Sequence, residues 1–172
     1  MSVKIRRPAP RTLADVRDPE GDPSYPTHLL TGCTDALILF AAAWHGRQDA
    51  WHIADAGLYG TCVDADGALL EEMQRVYPDG WEFYEQDVFA FTSKALQTER
   101  TWDIVSLDPF TNLFDRCADL LETWCVLARR AVILGSGTYT VVDAPDGWAV
   151  TDQRFRSDFH GGVYWRVLEP AA

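Results

Sequence analysis

From about residue 35 the chain switches repeatedly between short apolar runs and segments with helical spacing. Residues 36–40 (Ala-Leu-Ile-Leu-Phe) are apolar without a break, the pattern of a strand buried on both faces. Residues 48–56 read as a helix that stops at Gly57, a usual C-terminal cap. Residues 60–64 form a β-rich run ending in Asp64. Asp66 then opens a helix over 67–77, with Leu69, Leu70, Met73, Val76 and Tyr77 at helical spacing and Pro78 as its stop. Residues 81–85 alternate like a strand, 88–96 suit a short helix, and 102–107 read as another buried strand. An amphipathic helix follows over 114–127 and a fifth strand over 131–134, broken by Gly135-Ser136-Gly137. The tail predicts no helix: residues 148–155 and 163–168 alternate and join through 158–162, a hairpin signal.

Repeated strand–helix alternation predicts an α/β fold, a doubly wound and mostly parallel sheet with helices on both faces. The C-terminal hairpin adds an antiparallel edge. Five of the nine prolines fall within residues 1–26, so residues 1–30 read as an extended arm and 31–172 as a single domain.

At 172 residues the chain is one domain's worth. The longest apolar stretch, residues 36–44, is half of what a membrane span needs, and Pro8 and Pro10 sit where a signal peptide would be apolar. The expectation is a soluble, cytoplasmic protein. The net charge is −11, and because Lys4, Arg6, Arg7 and Arg11 make the first eleven residues basic, residues 12–172 carry −15. A body this acidic repels phosphate backbones and argues against general nucleic-acid binding. Cys33, Cys62, Cys117 and Cys125 contain no Cys-x-x-Cys pair, and the four histidines show no metal-ligand spacing, so no metal site is expected.

In open α/β sheets, ligands bind beyond the carboxyl ends of the strands. Residues 41–47, Asp64-Ala65-Asp66, Gln86-Asp87-Val88, Asp108-Pro109-Phe110 and Gly135-Ser136-Gly137 fall there. Acid follows three of these five strands, which suits hydroxyl groups, amines or a cation. Asp64, Asp66 and Asp87 also serve as candidate helix N-caps, and Asp108 before Pro109 is also a common turn.

This arrangement resembles the class I S-adenosylmethionine-dependent methyltransferases over residues 35–168. The resemblance implies that Asp64, with Ala65 and Asp66 beside it, binds the ribose hydroxyls, that Asp87 binds the adenine amino group, and that Val88 packs on the adenine face. It implies a substrate-side motif in Asp108-Pro109-Phe110, of the acid-Pro-aromatic type. Asp108 would accept a hydrogen bond or a proton from a hydroxyl or amine nucleophile, and Phe110 would stack on a flat acceptor. The cofactor loop falls on Ala41 to Gly46, including Ala43 and His45. The implied cofactor is S-adenosylmethionine, with the methyl acceptor and oligomeric state open.

One stretch departs from the family. Alanines stand where the first loop is glycine-rich, Phe40 replaces an acid, and only Gly46 remains. Residues 55–60 look better as a glycine loop, but three residues before Asp64 leave no room for a helix. An alternative is therefore a methyltransferase-like binding or assembly module without activity. A nicotinamide-dinucleotide binder is weaker, since it needs a glycine-rich turn after the first strand.

Overall fold

The computed structural model describes residues 25–77, 79–107, 119–136, 143–156 and 163–172. Seven strands form one sheet: β1 (Asp35–Leu39), β2 (Tyr59–Asp64), β3 (Glu82–Glu85), β4 (Trp102–Leu107), β5 (Ala128–Ser136), β6 (Trp148–Arg156) and β7 (Val163–Pro170). Their spatial order is β3-β2-β1-β4-β5-β7-β6. The first five are parallel, while β7 runs antiparallel between β5 and β6. Four helices are described, α1 (Trp44–Asp55), α2 (Gly67–Gln74), α3 (Val88–Gln97) and α4 (Leu121–Leu127), after a 3-10 turn at Thr27–Leu30. The doubly wound sheet with an antiparallel C-terminal pair is the one the sequence pattern predicts. The residues joining β6 to β7 lie outside the described part.

Side chains alternate along each strand, so β1 feeds two cores. Ala36 and Ile38 join Ala50 and Ile53 of α1 and Leu70 and Met73 of α2 on one face. Leu37 and Leu39 join Val88 and Phe91 of α3 and Leu121 and Trp124 of α4 on the other. Tyr25 and Leu30, 1% and 4% exposed, are part of the first core. Trp102 and Trp124 donate their indole N–H groups to Thr61 and Thr92, so two large buried rings leave no unpaired donor. Burial pushes the Cys62 thiol well up and that of Cys125 to about 12, as expected of packing residues. Among the described residues, no helix is long and apolar enough to cross a membrane.

Three boundaries within fully described segments differ from expectation by three residues or more. α1 begins at Trp44, one turn before residue 48, because Ala43 provides no capping side chain to announce the start. α2 stops at Gln74, short of Tyr77, whose place before Pro78 disfavours helical backbone. β5 runs from Ala128, which pairs with Trp102 of β4, and the neighbouring Arg129 is tied to Asp35 and Asp103.

Candidate functional site

Parallel register aligns the strand ends. Leu39 sits beside Val63 and Leu107, and Asp64 beside Glu85. The segments after β1, β2 and β3 therefore share one rim with the end of β4. β1 and β4 are neighbours whose following helices lie on opposite faces, which makes their junction the switch point where a crevice forms.

The loop after β1 is only four residues, 40–43. Phe40 has φ +57°, a left-handed conformation that is uncommon for a non-glycine residue. Its ring packs in the α3-side core, edge-on to Phe89 at 6.3 Å between centroids. Ala41 N–H donates to Val63 O, Ala42 N–H to Asp64 Oδ2, and Ala43 N–H to Phe40 O. The three alanine amides are thus occupied within the protein. Gly46 lies inside the first turn of α1, and a Cβ there would stand 2.1 Å from Phe40 O and 2.9 Å from Ala41 Cα. The glycine that remains permits helix and loop backbones to touch. His45 takes part in the same helical turn.

Asp64, half-buried, ties this loop to the rim. Oδ2 accepts from Ala42 N–H at 3.0 Å and Oδ1 from Asp66 N–H at 2.9 Å. Ala65 and Asp66 are exposed, and Asp66 caps α2 by accepting from Leu69 N–H. Asp87, also exposed, caps α3 by accepting from Ala90 N–H at 2.9 Å. Val88 is 4% exposed within the same core as Phe40, so its side chain is covered here. Asp108, Pro109 and Phe110 lie outside the described residues, as does Gly137. The structure adds Glu85, whose carboxylate lies against Gly67 at the start of α2, where a Cβ would meet it at 2.3 Å. A carboxylate at a helix N-terminus is favoured by the helix dipole.

Sequence reasoning missed a buried polar group beneath the β4 end. Ser106 Oγ donates to Asp49 Oδ2 at 2.6 Å, and both residues are fully buried. The Tyr25 hydroxyl meets Ser106 Oγ at 3.2 Å, and its ring stacks on His52 and stands edge-on to Trp165. Asp49 was detectable as an acid within the apolar stripe of Gly46, Ala50 and Ile53. Its neighbour Gln48 is 3% exposed, and neither atom of its amide has a hydrogen-bond partner among the described residues.

No family model matches the sequence, and no curated protein sequence matches it significantly. Solved structures do match. The candidate methyltransferase yhhF from Escherichia coli is similar at TM-score 0.67 and 17% identity, over 96% of this chain and 91% of that one. The chain has the class I methyltransferase fold. A candidate S-adenosylmethionine-dependent methyltransferase from Streptococcus mutans matches at TM-score 0.65 and 16% identity, over 83% of this chain and 46% of that one. TrmK of M. capricolum, solved with the cofactor product S-adenosyl-homocysteine, matches at TM-score 0.58 and 9% identity, over 86% and 68%. The chain thus spans about half the length of the Streptococcus mutans protein, whereas it spans nearly all of yhhF. In this fold Asp64 ends β2 and Asp87 follows β3 by two residues, at the C-terminal ends of adjacent strands.

Proposed function

We propose that the chain is an S-adenosylmethionine-dependent methyltransferase, with the cofactor's ribose at Asp64 and its adenine amino group at Asp87. The observation that carries this reading is the pair of carboxylates at the C-terminal ends of neighbouring parallel strands, Asp64 as the last residue of β2 and Asp87 two residues beyond the end of β3, on the same rim as the β1/β4 switch point. The donor and acceptor chemistry fits. Ribose hydroxyls and an adenine amino group are donors, and ionised carboxylates are acceptors only. Each Asp64 oxygen takes one backbone N–H and keeps a lone pair, and Asp87 uses one oxygen for its cap. Ala41 and Ala43 stand in the loop after β1, His45 and Gly46 in the first turn of α1, Ala65 and Asp66 between β2 and α2, and Val88 next to Asp87.

S-adenosylmethionine supplies an electrophilic methyl group on a sulfonium. The residues of this chain position, orient and desolvate. Asp64 fixes the loop and the ribose together. An acidic rim attracts a cationic ligand. Asp108 would orient the nucleophile and receive its proton, Pro109 would stiffen the turn, and Phe110 would stack on a flat acceptor.

A second reading, a binding or assembly module without activity, is favoured by the closed packing of Phe40 and Val88 and by the internally bonded alanine amides. Calorimetric titration with S-adenosyl-homocysteine separates the two. Micromolar binding supports the enzyme, and no heat at millimolar ligand leaves the module.

A further inference from the structure

A primary amide enclosed in protein with no partner is uncommon, because each unpaired buried polar group costs about 1–3 kcal/mol. Gln48 is such a group: it is 3% exposed, and both Oε1 and Nε2 lack a partner among the described residues. Its position is informative. Helical side chains lean toward the helix N-terminus and cover the preceding turn, so Gln48 lies over the opening turn of α1. That turn has no side-chain cap, since Ala43 occupies the N-cap position. Gln48 is also one turn before His52, on the helix flank that Tyr25 covers and joins to Ser106 near the β4 end. The flank therefore borders the β1/β4 switch point.

We infer that the Gln48 amide binds the amino-acid end of the cofactor, together with the uncapped first turn of α1. The inference rests on the methyltransferase reading. The amides of Ala41, Ala42 and Ala43 are bonded to Val63, Asp64 and Phe40, so they do not serve the ligand. An amino-acid end presents a carboxylate and an ammonium. A primary amide offers two donors and one acceptor, which matches both, and a helix N-terminus favours the carboxylate. Gln48 is unbranched and, among the described residues, has no hydrogen bond to give up in changing rotamer.

The test is a calorimetric comparison of wild type and Gln48→Leu with two probes. One is S-adenosyl-homocysteine, and the other is 5′-methylthioadenosine, which lacks the amino-acid end. Gln48→Leu is expected to weaken S-adenosyl-homocysteine roughly ten- to hundredfold, the range for one or two hydrogen bonds to charged groups. It is expected to leave 5′-methylthioadenosine unchanged. Without ligand, the variant is expected to melt a few degrees higher, about what removal of an unpaired buried polar group produces. Equal affinity of the two proteins for S-adenosyl-homocysteine overturns the inference and leaves the methyltransferase reading intact. So does parallel weakening of both probes, or a lower melting temperature without ligand. Failure of wild type to bind either probe overturns both.

Discussion

Gly46→Ala tests whether the loop after β1 and the start of α1 are held in backbone contact. By helix propensity alone, alanine inside α1 should stabilise by about 1 kcal/mol. The added Cβ, however, would stand 2.1 Å from Phe40 O, 2.8 Å from Phe40 C and 2.9 Å from Ala41 Cα. Carbon–oxygen contact needs at least about 3 Å. The first turn would have to retreat by roughly 1 Å, and backbone atoms have no rotamer by which to yield. Overpacking typically costs about 1–3 kcal/mol, and a rigid obstacle belongs at the upper end. Subtracting the propensity gain leaves a net loss of about 2 kcal/mol. For a chain of this size that lowers the melting temperature by about 4–8 °C. Urea unfolding followed by tryptophan fluorescence reads the same change as a lower midpoint. Gly57→Ala is the control: it has φ +75° and open space around the Cβ position, so only the left-handed backbone opposes it. A Gly46→Ala protein as stable as wild type would refute the close-contact reasoning.

Ser106→Ala removes a hydrogen bond to the buried Asp49 carboxylate and is expected to destabilise by about 1.5–3 kcal/mol in urea unfolding. Asp103 should shape the acid limb of stability. Burial pushes its carboxyl up, but hydrogen bonds from Thr34 and the Arg129 guanidinium outweigh this and hold it below the usual range. The unfolded chain then binds more protons as pH falls, so this stabilisation is complete above about pH 4 and is lost through the lower folded pKa. Asp103→Asn should be less stable at neutral pH and show a flatter stability–pH curve from about pH 5 to 2, measured by circular dichroism. Asp66→Ala removes the α2 cap and should cost about 1 kcal/mol in the same urea assay.

The sheet was legible because central parallel strands are buried on both faces and leave unbroken apolar runs such as Ala36 to Leu39. Helices declared themselves where a cap residue stood in place, as Asp66 and Asp87 do. α1 did not, since Ala43 offers no side-chain cap and Gly46 lowers the helical signal of its first turn. Polar residues inside elements misled in a different way. Arg166 of β7 is 2% exposed, and Asp49 is bonded to a residue 57 positions away, contacts that local periodicity does not encode. The acid after β2 could be placed on the rim from its spacing. That its oxygens also hold the loop of residues 40–43 could not, because the bond joins two segments 22 residues apart.

A crystal structure of the protein grown with S-adenosyl-homocysteine is the most direct measurement. The expected result is ligand density in the crevice at the C-terminal strand ends, with ribose oxygens within hydrogen-bond distance of Asp64 and the adenine amino group toward Asp87. No ligand density at the C-terminal strand ends in crystals grown at millimolar ligand would contradict it.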